Sequence, residues 1–201
     1  KENFPDDTTF QKEWYKHVGT VKLACYQTYK QFRQEILAKY PDQKMTLELM
    51  DDQKIEALIS AASEVSQGHY FEHFIVPAVQ GGAGTSINMN VNEIIANSAL
   101  KHMGKRPGNY DLLDPVEDAN VFQSTNDVIP TALKITLMNM LGSLESNIND
   151  LRNGIEGLEG KYRNTLRMAY TQMQQAVPSS YGRLFSAYSE AFSRDWWRIS
   201  K

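Results

Sequence analysis

The chain has 201 residues, with 21 Lys and Arg against 24 Asp and Glu, a net charge of −3 and 41% hydrophobic residues. Those values are ordinary for a globular protein of one large or two small domains, and they leave no basic footprint for nucleic acid. The single cysteine, Cys25, excludes an internal disulfide framework and any cysteine-based zinc site, and it fits a reduced, cytoplasmic setting.

From about Asp7 to Tyr40, Trp14, Val18, Val21, Ala24, Cys25, Thr28, Phe32 and Ile36 recur at helical spacing, and Pro41 ends the run. Cys25 reads as a core residue of this face. Asp51 or Asp52 caps a second helix with Ile55, Leu58, Ile59, Ala62 and Val65 inside, closed by Gly68. The longest uncharged stretch, roughly Phe74 to Asn92, is interrupted by Gln80 and paired glycines and is no membrane span. A third helix is expected from about Val91 to Met103. Pro107, Gly108 and Pro115 punctuate an irregular segment from Gly104 to Gln123.

A long helical region starts near Asn126. Its stripe of Leu133, Leu137, Leu141, Leu144, Ile148, Leu151, Ile155, Leu158 and Tyr162 is spaced by three and four. That is the pattern of a helix in a long bundle, roughly 45 Å if unbroken. Gly154, Gly157 and Gly160 weaken it locally and point to a kink or a turn. Pro178 precedes a final helix over residues 179–201 that carries Trp196 and Trp197. A bulky apolar pair at that place calls for burial, either by the rest of a longer protein or by a partner. The absence of a starting methionine points the same way. We expect a mainly α fold with a small helical N-terminal domain, residues 1–122, followed by the beginning of a long-helix bundle, residues 123–201.

Three segments look like site chemistry. In Gln80 to Glu93, three glycines stand within four residues, and hydroxyls and amides crowd the start of a helix, where N–H groups and the helix dipole favour an anion. A tight turn with capping Ser and Asn explains the same residues equally well. Gln123-Ser124-Thr125-Asn126-Asp127 opens the long helix with four cap-type residues in a row, where one cap needs only one. Tyr170 to Pro178, taken alone, is a polar loop before a proline. No nucleophile, metal set or titrating pair stands out. His69 and His73 have helical spacing, but no third ligand accompanies them, so zinc is not expected.

Together and in this order, the three segments resemble the aspartase/fumarase superfamily, in its aspartate ammonia-lyase branch. The Gly-Ala-Gly-Thr-Ser-Ile-Asn-Met-Asn-Val-Asn-Glu run from Gly82 carries the most specific match, with Gln123 to Asp127 and Thr171 to Pro178 as the second and third regions. Glu2-Asn3-Phe4-Pro5 is similar to a segment near the family's start. The resemblance implies a homotetrameric lyase acting on a small dicarboxylate such as L-aspartate or fumarate, with no cofactor, no metal, no membrane and no nucleic acid. Each site would be built from three subunits. It implies that Thr85, Ser124, Thr125, Asn126, Thr171 and Gln172 contact substrate.

The departures are equally specific. Fumarases carry His where this chain has Gln172, which favours an ammonia-lyase. The family's His-Pro-Asn-Asp run stands here as Asp114-Pro115-Val116-Glu117, a lysine is replaced by Val121, and a Gly-Arg pair by Ala169-Tyr170. The Gly-Ser-Ser-x-Met-Pro-x-Lys-x-Asn loop that supplies the family's catalytic serine does not occur in these residues, so the chain by itself is expected to be inactive. The alternatives are a fumarase or another superfamily lyase, or a catalytically dead homologue kept for assembly or binding.

Overall fold

In the computed structural model, residues 11–41, 49–77 and 82–201 are described. The Glu2 to Pro5 match, the expected helix start near Asp7, and Gln80 and Gly81 lie outside them. Among the described residues the chain forms α1 (Lys12–Lys39), α2 (Asp52–Ser66), α3 (Thr85–His102), α4 (Thr125–Tyr162), the strands β1 (Leu166–Thr171) and β2 (Gln174–Ser180), and α5 (Tyr181–Ile199). The fold is mainly α, with long helices in its second half. It divides into two compact units, one ending at Thr136 and one running from Leu137 to Lys201.

In the first unit, α1 packs on α2 and α2 on α3. Asp51 caps α2, its carboxylate accepting from the Lys54 N–H at 2.7 Å. The helix ends in a Schellman turn: Gly68, at φ +88°, donates to the Val65 carbonyl and His69 to that of Glu64. The buried face of α1 is Trp14, Tyr15, Val18, Gly19, Lys22, Tyr26 and Tyr29. This shifts the expected stripe. Val21 and Cys25 are only half-buried, and Ala24, Thr28 and Phe32 are exposed. With Phe122, Thr131 and Ile135 they line an open apolar groove of about 520 Å³, so Cys25 sits on a groove wall rather than in a closed core. Tyrosines win the inward positions because each hydroxyl meets a distant backbone group. Tyr15 donates to the His69 carbonyl, Tyr26 donates to the Ala119 carbonyl, and Tyr29 accepts from the Met50 N–H. Gly19 allows the close crossing, since a Cβ there would lie 2.5 Å from the Ser66 nitrogen.

In the second unit α4 runs as one helix through Gly154, Gly157 and Gly160, so these glycines do not mark a turn. Helical hydrogen bonding outweighs a glycine penalty of about 1 kcal/mol per residue. Residues 166–180 form an antiparallel hairpin rather than a polar loop. Ala169 on β1 stands against two residues, Ala176 and Val177, on β2, and this bulge shifts the register. Ser180 caps α5, its Oγ accepting from the Arg183 N–H. α5 returns along α4, with Ser189 on Glu156 and Arg152 over the Trp196 ring. Trp197 remains 58% exposed.

Candidate functional site

The glycine-rich run feeds straight into α3, which starts at Thr85, well before the expected Val91. Gly84 takes φ +88°, a left-handed conformation that L side chains rarely adopt. It also faces Ile129 of α4, whose Cγ2 would lie 3.1 Å from an added Cβ. Both facts require glycine, and the second brings the start of α3 against the first turns of α4. The Thr85 N–H donates to the Gly82 carbonyl at 2.9 Å, closing the turn, and the Thr85 side chain is exposed.

The asparagines that follow do not cap this helix. Asn88 and Asn92 are buried on its inner face, and both Nδ2 groups donate to Asn120 Oδ1, at 3.0 and 3.2 Å. Asn88 Nδ2 also lies 3.3 Å from Thr125 Oγ1. Asn90 turns the other way, accepting from the Ile75 N–H and donating to the His73 carbonyl. The run is therefore neither a simple cap nor a free cluster of donors. Its amides pin α3 to the chain that leads into α4. Asn88, Asn92 and Asn120 have no place among the residues read from the sequence as the site. Asparagine at i and i+4 inside a helix, where its propensity is poor, is a weak local signal that does not reveal the distant partner.

Ser124 does serve as a cap, its Oγ accepting from the Asn126 N–H at 3.2 Å, while its carbonyl accepts from Asp127 and Val128. Thr125 is half-buried against Asn88, and Asn126 is exposed. Pro130, the sixth residue of α4, has no N–H to offer the Asn126 carbonyl. Thr85, Ser124, Thr125 and Asn126 thus all stand at two adjoining helix N-termini in the first unit. Such ends favour an anion through their N–H groups and dipoles.

Two charged groups adjoin this region. Lys22 is wholly buried, its Nζ 2.9 Å from Gln123 Oε1, and burial lowers its pKa to about 7. Asp114, at the place of the family's histidine, accepts from the Val116 and Glu117 N–H groups and donates its own N–H to Asp118, which pairs with Lys54. Asp114 is thus occupied with shaping its own turn. No three His, Cys, Asp or Glu side chains converge as a metal set among the described residues.

Thr171 and Gln172 belong to the second unit. Thr171 pairs with Gln174, so Gln172 and Met173 form a two-residue turn. Both take positive φ, +48° and +62°, where Asn-Gly is the usual choice. Both side chains at 171 and 172 are exposed. Non-glycine residues held at positive φ collect at functional sites.

A sequence family described as Lyase matches residues 4–201. The aspartate ammonia-lyase of Bacillus subtilis is 40% identical over 146 residues, 73% of this chain and 31% of that protein. Its Escherichia coli K12 counterpart is 43% identical over 134 residues, 66% of this chain and 28% of that protein. The chain spans about a third of the length of the curated relatives it matches. A fumarate lyase:delta crystallin from Brucella melitensis matches with a TM-score of 0.81 at 31% identity, over 98% of this chain and 43% of that one. A class II fumarase from Schistosoma mansoni has the same fold, with a TM-score of 0.76 at 24% identity over 97% of this chain and 38% of that one. A family match over nearly the whole sequence, joined to a shared helical fold, means that the chain belongs to the lyases of the aspartase/fumarase superfamily.

Proposed function

We propose that this chain carries dicarboxylate-binding regions of an aspartate ammonia-lyase, the activity named for its 40%-identical relatives. The observation that carries the reading is the meeting of two helix N-termini, one opened by Thr85 and the other by Ser124, Thr125 and Asn126. In the reaction a base removes a C3 proton of L-aspartate. The electron pair left behind forms the C2–C3 double bond of fumarate, and the C2–N bond breaks to release ammonia. Negative charge grows on the carboxylate beside the departing proton, and fixed N–H and O–H donors stabilise that growth. Each such donor is worth roughly 3 kcal/mol in a transition state.

Gln172 supports the ammonia-lyase over the fumarase reading, because an amide does not titrate and cannot relay a proton as a histidine does. The Gly-Ser-Ser-x-Met-Pro loop that supplies the family's catalytic serine does not occur in these residues, so the 201-residue chain is expected to bind and not to turn over. As in the family, the whole enzyme would work as an oligomer. Calorimetric titration with succinate, fumarate and L-malate tests the binding, and absorbance at 240 nm follows fumarate formation from L-aspartate. Millimolar or tighter dicarboxylate binding, weakened at least tenfold by T85A or N126A, supports the proposal. No binding of any of the three would defeat it.

A further inference from the structure

Residues 119–125, which lead into α4, are gripped from two sides. From α1, Lys22 Nζ donates to Gln123 Oε1 at 2.9 Å, and the Tyr26 hydroxyl, one turn on, donates to the Ala119 carbonyl. Gln123 reaches the same carbonyl through Nε2 at 3.4 Å. From α3, Asn88 and Asn92 hold Asn120, whose Nδ2 donates to the Gln123 carbonyl at 3.0 Å. The three residues that follow Gln123 are Ser124, Thr125 and Asn126.

A wholly buried lysine is a costly way to fill this space. Among the described residues no carboxylate pairs with it, and its hydrogen-bond partner is a neutral amide oxygen. A methionine has nearly the same length and carries no desolvation cost. What lysine supplies and methionine does not is a directional donor to Gln123, one residue ahead of the candidate binding trio. A positively charged group behind a helix N-terminus is also unfavourable for the helix dipole. This placement is therefore poor for stability and apt for holding that helix start in one position.

We propose that Lys22 is a positioning residue: through Gln123 it fixes the backbone at the start of α4, so that Ser124, Thr125 and Asn126 meet a dicarboxylate in a set geometry. The inference rests on the dicarboxylate reading of that site, and its test separates the two. Succinate affinity of the 201-residue chain is measured by calorimetry for the wild type, K22M, Q123M and K22M/Q123M. Amide hydrogen exchange is read in parallel at Asp127 and Val128, whose N–H groups close on the Ser124 carbonyl, and across α2 as an internal reference.

K22M is expected to weaken succinate at least tenfold and to speed exchange at Asp127 and Val128 at least tenfold, with α2 no faster than in the wild type. Q123M should do the same, and the double variant no more than either single one, because both act through one link. K22Q, a shorter neutral donor, should recover part of the affinity. Losses that multiply in the double variant, K22M affinity within twofold of wild type, or faster exchange throughout α1 to α3 would overturn the proposal. If the wild type binds no succinate, the dicarboxylate reading falls, and the exchange measurement still decides whether Lys22 holds the start of α4.

Discussion

Lys22→Met should make the protein more stable at neutral pH. The lysine titrates at 10.5 in the open chain and at about 7 when folded, because burial penalises its charge. Between those values the unfolded chain holds a proton that the folded chain has released, so stability rises with pH across the window and is lowest below pH 7. At pH 7 the burial penalty is on the order of 4 kcal/mol, and it falls to about 2 kcal/mol at pH 9. Removing the ammonium leaves Gln123 Oε1 without its donor, a cost of about 1–3 kcal/mol. The variant should therefore gain about 1–3 kcal/mol at pH 7 and little or nothing at pH 9. Urea unfolding read by Trp14 fluorescence in a W196F/W197F background reports on the first unit alone. Cys25, one turn along α1, has its thiol pKa raised by burial and drawn back by the Lys22 charge, so both proteins carry C25S to leave Lys22 alone in the difference curve. A wild-type midpoint that stays flat between pH 7 and 9, or a K22M protein less stable at pH 7, would refute the reasoning.

Gly84→Ala should cost about 1–2 kcal/mol, since φ +88° is strained for any L side chain and the new methyl presses on Ile129. Measured against I129A alone, adding I129A, which removes both γ carbons, should relieve the contact and leave the backbone penalty, as urea midpoints will show. Replacing Gln172-Met173 by Asn-Gly should steady the hairpin by about 1 kcal/mol, visible as roughly fivefold slower amide exchange across β1 and β2. The Glu64 carboxylate is raised by partial burial, but hydrogen bonds from Ser98 and His102 outweigh this and hold its pKa below 4.5. Its stabilisation is present above pH 4.5 and lost as the pH falls through the folded value, so E64Q should be less stable than wild type at pH 7 and converge with it in acid. The α4 leucines Leu133, Leu137, Leu141, Leu144, Leu151 and Leu158 remain at least 38% exposed. Self-association is the expected result, and a monodisperse monomer by light scattering would contradict it.

The long periodic elements were legible in the sequence because burial follows their repeat. α2 buries Ile55, Leu58, Ala62 and Val65, and Asp51 and Gly68 mark its ends as their chemistry requires. α1 was legible as a helix but its inward face was not. Hydrophobicity favours Val21 and Ala24, whereas tertiary hydrogen bonds to the tyrosine hydroxyls decide the rotation. The hairpin was hidden because Gln-Met carries no turn signal and Pro178 demotes its strand. In the candidate site, Thr85 and Ser124 to Asn126 were visible through cap chemistry and family likeness. Lys22, Asn88, Asn92 and Asn120 were not, since each acts through a residue distant in sequence, and no local pattern encodes such contacts.

The 38-residue helix α4 carries Gly142, Gly154, Gly157 and Gly160, and a methyl at any of them would meet nothing within 4 Å. Each glycine forgoes about 1 kcal/mol of helix propensity, so about 4 kcal/mol of stability lies within reach of single-codon changes to alanine. The glycine-to-alanine series is therefore a direct probe of what else constrains the helix surface. Alanines that raise stability and leave every other property intact would mark these positions as evolutionary slack.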